Sequence, residues 1–244
     1  MGEKSFFIDT SRCTACRGCQ IACKEWHGLP ATRTTQVGWG NYQNPQDLNF
    51  YTYKLVRFNE HERNGKLVWY FFPDQCRHCL EPLCKEVADS YVKGAIVKDP
   101  ETGAVIFNLK KLKKVPFDEL LDACPYHIPR QDPKTGMVAK CDMCIDRVKA
   151  GLLPMCVKTC PTGAMNFGDR EEMLALAERR LSEVKKEFPK AQLLDADSVR
   201  VIYLVLDDPE LYQEYAAAPK HTGINRRVAL KKLFDPTGWL QNLV

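Results

Sequence analysis

Residues 13–23 read Cys13-Thr14-Ala15-Cys16-Arg17-Gly18-Cys19-Gln20-Ile21-Ala22-Cys23, a C-x2-C-x2-C-x3-C run. Three thiolates at that spacing wrap one face of a cuboidal iron–sulfur cluster, while the fourth, a helical turn further on, points at a different cluster. Such a run is half of a two-cluster unit, so a second cysteine set has to lie elsewhere in the chain.

Two further groups supply it. The middle group is Cys76-Arg77-His78-Cys79-Leu80-Glu81-Pro82-Leu83-Cys84, followed at a distance by Cys124-Pro125. The last group is Cys141-Asp142-Met143-Cys144, then Cys156 and Cys160-Pro161. Internal repetition sorts them. Cys13, Cys16 and Cys19 lack a fourth ligand, which the remote Cys160-Pro161 provides. Cys141, Cys144 and Cys156 also lack one, which Cys23 provides. Each run thus lends its last cysteine to the other's cluster, as in two-cluster ferredoxins. Cys76, Cys79, Cys84 and Cys124 form a third quartet. Counting back from Cys124 with the same spacing gives Lys114, Phe117 and Leu120, and four residues after Cys84 stands Ala88. All four positions of a fourth cluster are non-ligands together, as expected of a cluster lost whole. All 12 cysteines are then used, and three [4Fe-4S] clusters are expected. A row of carriers tolerates a loss only at its end, so the lost site is expected at the end farthest from the electron source. In Cys160-Pro161-Thr162-Gly163-Ala164, the small residues let backbone amides approach the sulfurs and tune the cluster potential.

Composition narrows the rest. Twelve cysteines in 244 residues fall below the density of a disulfide scaffold, and cysteines two or three residues apart bridge poorly. Thirty-five basic against 31 acidic residues leave +4, too small a bias to argue for nucleic acid. The longest apolar run near the C-terminus, Val201–Leu206, is far short of the ~20 residues that span a bilayer. Met1–Asp9 lacks a signal-peptide core and a twin arginine, so no transmembrane or export segment is expected.

Local pattern gives the remaining elements. Ser5–Asp9 reads as a strand and His27–Leu48 as loop. Phe50–Phe58 and Leu67–Phe72 read as a hairpin turned at Asn64-Gly65. Ala95–Lys98 and Ala104–Asn108 form a second hairpin. Helical spacing marks Arg170–Phe188, and Val199–Leu206 reads as a strand.

Three stretches carry a resemblance: Cys124-Pro125-Tyr126-His127-Ile128-Pro129-Arg130, Lys140-Cys141-Asp142-Met143-Cys144-Ile145-Asp146-Arg147, and Cys156–Ala164. They resemble the iron–sulfur (β) subunits of molybdopterin oxidoreductases, formate dehydrogenases above all, over most of residues 4–170. Membrane-anchored members have sixteen cysteines, four clusters and a C-terminal transmembrane helix; this chain departs on each point and looks like the soluble, three-cluster enzymes. The resemblance implies an α+β fold of two ferredoxin-like 4Fe-4S modules, one degenerate, with inserted β-hairpins and a C-terminal helical tail. Residues 1–30 plus 136–168 are expected to form the first module. Residues 31–135 would carry the hairpins and the second module, and 169–244 a helix, strand and tail packed on this chain or its partner. The resemblance also implies a non-catalytic electron-transfer subunit, in heterodimer with a large Mo- or W-bis-pterin subunit that oxidises formate. A multihaem cytochrome c would be the acceptor and the periplasm the compartment, with the cytoplasm as alternative. The same role in an oxidoreductase acting on a sulfur or nitrogen oxyanion is the runner-up.

The rival class is a zinc-stabilised structural or nucleic-acid module, since C-x2-C pairs also hold zinc; shared ligands and a remote Cys-Pro argue against it. His78 and His127 read as packing or hydrogen-bonding residues, and His27, His61 and His221 as surface. Lys110–Lys114 reads as a solvated face. Trp26, Trp39, Trp69 and Tyr126 read as cluster packing. Arg226, Arg227, Lys231 and Lys232, with Phe234 and Trp239, read as an interface to the large subunit.

Overall fold

A computed structural model describes residues 3–35, 42–63 and 65–219. In chain order, β1 (Lys4–Asp9) leads into α1 (Gly18–Trp26), and β2 (Leu55–Arg63) pairs with β3 (Lys66–Asp74). Next come α2 (Leu83–Asp89), β4 (Ile96–Lys98), β5 (Val105–Phe107), α3 (Leu109–Leu112) and α4 (Phe117–Asp122). The short ribbon β6 (Arg130–Gln131) and β7 (Val138–Ala139) precedes α5 (Ile145–Lys149) and α6 (Met155–Lys158). The described chain closes with β8 (Met165–Asp169), α7 (Arg170–Val184), β9 (Gln192–Leu194) and β10 (Val201–Val205).

The centre is a four-stranded sheet in the order β8-β1-β10-β9. β1 runs parallel to β10, with Phe6 opposite Val201 and Ile8 opposite Tyr203, and antiparallel to β8. Successive side chains of a strand face opposite ways, and both faces here are covered. Phe6, Ile8, Val201, Tyr203 and Val205 point into one core together with Cys19, Met143 and Cys156. Phe7, Ile202 and Leu204 face Met173, Ala177 and Val184 of α7. Burial on two sides explains why Val201–Val205 is an unbroken apolar run rather than an alternating one. Glu171 and Glu172 in the first turn of α7 complement its positive end.

The β2–β3 hairpin turns where expected: Arg63 pairs with Lys66, and Gly65 has φ +72°, the left-handed region that favours glycine. Its inner face, Val56, Tyr70 and Phe72, joins the thiol-bearing core. Phe72 stacks on Tyr203 at 4.2 Å. Gln20 of α1 ties the hairpin to the first cysteine run by accepting the Val56 amide at 3.1 Å. The second hairpin, β4–β5, belongs to a separate aliphatic cluster with α2, α3 and α4.

After residue 169 a helix and a strand form where the sequence pattern placed them, and β9 is added to them. This segment gives two strands to the sheet that also contains β1, so it is part of the central scaffold. The tail read as an interface, with Arg226, Arg227, Lys231, Lys232, Phe234 and Trp239, lies outside the described residues, as do Trp39 and His221.

Candidate iron–sulfur sites

The cysteine loops have a shared backbone signature. Seven described non-glycine residues have positive φ, and six of them lie in or directly after cysteine motifs: Ala15, Arg17, His78, His127, Met143 and Cys144. Left-handed backbone is costly for such residues and persists where surrounding structure enforces it. Here it curls the chain so that amides face sulfur. His78 N–H donates to Cys76 Sγ, Met143 N–H to Cys141 Sγ and Ile128 N–H to Cys124 Sγ, each at 3.4 Å. The Cys160 turn does this most fully. Burial favours its neutral thiol, but amides of Met165, Thr162 and Ala164 and the Thr162 hydroxyl hold its pKa below the ordinary value.

The structure brings the twelve cysteines together in three groups, none of them in a disulfide. Cys13, Cys16, Cys19 and Cys160 line one small cavity with Val56, Pro73 and Met165. Cys23, Cys141, Cys144 and Cys156 line a second, with Lys54, Gln75 and Pro154. Cys76 lies in a buried cluster with Cys141, Cys79 and Cys124 pack against it, and Cys84 lies near enough to interact with Cys124, Cys76 and Cys79. Cys19 and Cys156 share one buried cluster and Cys76 and Cys141 another, so the Cys23 group joins the other two in a row. That middle group is wholly buried, whereas Cys16 is exposed and Cys79 lines an open cleft with Leu80 and Tyr126. Beyond Cys84 the row ends in side chains. Ala88 and Leu120 are completely buried in a cluster with Val87, Ile96, Val105, Leu112 and Val115, with Phe117 against it, while Lys114 points to solvent.

Burial pushes the Cys13 and Cys124 thiols up to about 11 and the Cys144 and Cys156 thiols up to about 12. Thiols so disfavoured as free anions ionise when a metal replaces the proton. Two buried donors support the fit. Gln75 accepts from Lys54 through Oε1 at 2.7 Å, and its Nε2 has no partner. His78 accepts the Val105 amide at Nδ1, so its proton sits on Nε2, also unpartnered. Cluster sulfide is an acceptor of the kind such donors require. The residues present fit iron–sulfur clusters.

Comparison with known proteins agrees. The family model for the 4Fe-4S dicluster domain matches residues 67–170. Formate dehydrogenase 2 subunit beta (cytochrome c-553) of Nitratidesulfovibrio vulgaris is 59% identical over 216 residues, spanning 87% of this chain and 98% of that one. The chain belongs to the formate dehydrogenase iron–sulfur subunit family. Within this family, the beta subunit of Megalodesulfovibrio gigas is 54% identical over 216 residues (88% of this chain, 100% of that one). The nitrate-inducible iron–sulfur subunit of Escherichia coli is 38% identical over 238 residues (94% and 77%). The chain therefore carries 4Fe-4S clusters and transfers electrons. Among the described residues no helix is long and apolar enough to cross a membrane.

Several residues sit elsewhere than their sequence suggested. His27 is half-buried: it lines the second cavity, bonds Asp142 at 2.9 Å and reaches the Cys23 carbonyl. His61 bonds the Leu211 carbonyl and stands edge-on to Tyr70. Trp26 and Trp69 are exposed; Trp26 lies under the Arg147 guanidinium. Tyr126 is buried as expected, and Lys110, Lys111, Lys113 and Lys114 are exposed. Sequence reasoning missed Lys54 and Arg77, both buried cations beside the thiols. Arg77 packs among Phe72, Tyr126 and Tyr203 and pairs with Asp74 at 2.8 Å.

Proposed function

We propose that this subunit carries three [4Fe-4S] clusters, held by Cys13/Cys16/Cys19/Cys160, Cys23/Cys141/Cys144/Cys156 and Cys76/Cys79/Cys84/Cys124. They would relay electrons from a formate-oxidising Mo- or W-pterin subunit to a c-type cytochrome in the periplasm. The observation that carries this is the row itself: three cysteine quartets side by side, the middle one sealed and each outer one reaching the surface. Bound in such loops, each cluster would supply one-electron chemistry with little rearrangement of its shell. The chain's part is to hold the sulfurs, direct amides at them and keep water from the middle site. The end of the row that lost its ligands lies beyond Cys84, so the Cys16 end faces the large subunit. The relative named for cytochrome c-553 supports a cytochrome acceptor at the other end, and such an acceptor favours the periplasm.

The test is metal analysis of the anaerobically purified complex. About twelve iron and twelve sulfide per subunit beyond those of the large subunit are expected. Formate should reduce all three signals, and Cys84→Ser should remove one. A content near eight, or zinc in place of iron, would overturn the assignment. Cell fractionation and turnover with a c-type cytochrome test the compartment and the acceptor.

A further inference from the structure

Lys54, the residue before β2, is 2% exposed. Its ammonium donates to the Pro73 carbonyl at 3.0 Å and to Gln75 Oε1 at 2.7 Å. Pro73 lines the first thiol cavity and Gln75 the second. The ammonium therefore sits in the wall between two cavities, and both acceptors are neutral. Among the described residues no carboxylate pairs with it, in contrast to buried Arg77 and Arg200, which pair with Asp74 and Glu3. A buried cation without a counter-ion is costly, so what offsets it must be close by. The cysteines of both groups line those two cavities, and Lys54 itself lines the second; as cluster ligands they are thiolates.

Resting on the cluster assignment above, we propose that Lys54 is the shared counter-cation of the first two clusters, a positioning residue that raises both of their reduction potentials together. Reduction adds one negative charge to a site already anionic. A fixed positive charge in a dry wall favours the reduced form on either side of it. Sharing one cation shifts both potentials in the same direction, which keeps them close and the electron step between them nearly level.

The test is an EPR-monitored redox titration of the complete complex carrying Lys54→Met, Lys54→Gln or Lys54→Arg, with iron and sulfide measured on each. In the two neutral variants the reduction equilibria of the first and second clusters should each fall at least about tenfold, a shift of about 59 mV per one-electron couple. The third should stay near its original value, and Lys54→Arg should restore the first two. Shifts below about threefold, a shift in only one of the two, or an equal shift in all three clusters would overturn the proposal. If the neutral variants fail to load iron while Lys54→Arg loads fully, the charge is required and the placement stands. If all three fail, the role is packing and the proposal falls. An iron content that shows fewer clusters in the unaltered protein would instead count against the cluster assignment.

Discussion

The two halves of the iron–sulfur scaffold solve the same problem with different fillings. Under the central sheet, Cys23 and Cys160 cross between runs about 140 residues apart, and both sites of the pair keep four thiols. In the middle segment, α2 and α4 stand where a second crossed pair would form, but the cysteines there are those of the Cys76 group. The other site holds Ala88 and Leu120 amid valines and isoleucine. Where the one half places thiols around small cavities, the other packs aliphatic side chains at core density, since a void there would cost stability. The aliphatic cluster packs on Cys84 and Ala123 and so braces the Cys76 group.

The largest effect is expected at the crossed pair. Cys160→Ser should remove one cluster and leave the sheet-side loops unclosed, lowering iron by about four per subunit with loss of formate-driven cytochrome reduction. Cys84→Ser should remove about the same iron but leave the first two EPR signals intact. If Cys160→Ser retained full iron, the crossed assignment would fail.

Next in size is the refilled site. Leu120→Ala should destabilise the subunit by about 2–5 kcal/mol in denaturant unfolding, and shift the third cluster's signal before the other two. Equal disturbance of all three would show that the halves are not separable in this way. Gly103→Ala probes the join between them. A Cβ there would fall 2.0 Å from Arg200 Nε, at a φ of +75°. A loss of about 1–3 kcal/mol is expected, read from the thermal midpoint.

The smallest effect concerns the outer edge of the sheet-side half. Asp207 accepts from Tyr70 at 3.1 Å and pairs with Arg63 and Lys190. Although burial opposes it, the Asp208 amide and Arg63 hold its carboxyl down at about 2. A depressed carboxylate contributes stability above its unfolded pKa of about 3.9, and that contribution fades as pH falls toward 2. Asp207→Asn should cost about 1 kcal/mol at pH 7, with the difference from the unaltered protein closing below pH 4.

Much of this architecture was legible in the sequence because its strongest determinants are local. Cysteine spacing encodes cluster geometry within a few residues, and Asn64-Gly65 encodes a hairpin. The pairing of Val201–Val205 with Lys4–Asp9 is not local, and Met165-Asn166-Phe167-Gly168-Asp169 is too polar to read as a strand before its partner is known. Lys54 looks like an ordinary lysine beside an aromatic segment. Its burial follows from the hairpin folding over the thiols, which no short window shows. Trp26 and Trp69 misled for the opposite reason: large aromatics usually indicate a core, yet here they are exposed and donate to acidic side chains, Trp26 to Asp146 at 3.0 Å and Trp69 to Glu60 at 2.7 Å.

The parallel pairing of β1 with β10 has a consequence for how the protein is made. As the chain leaves the ribosome, Cys13, Cys16 and Cys19 emerge early, but their fourth neighbour follows only after residue 159, and the strand that fastens their own strand later still. Metal delivered to the nascent N-terminus would meet an open half-shell, so this site can close only after residue 160 has been made.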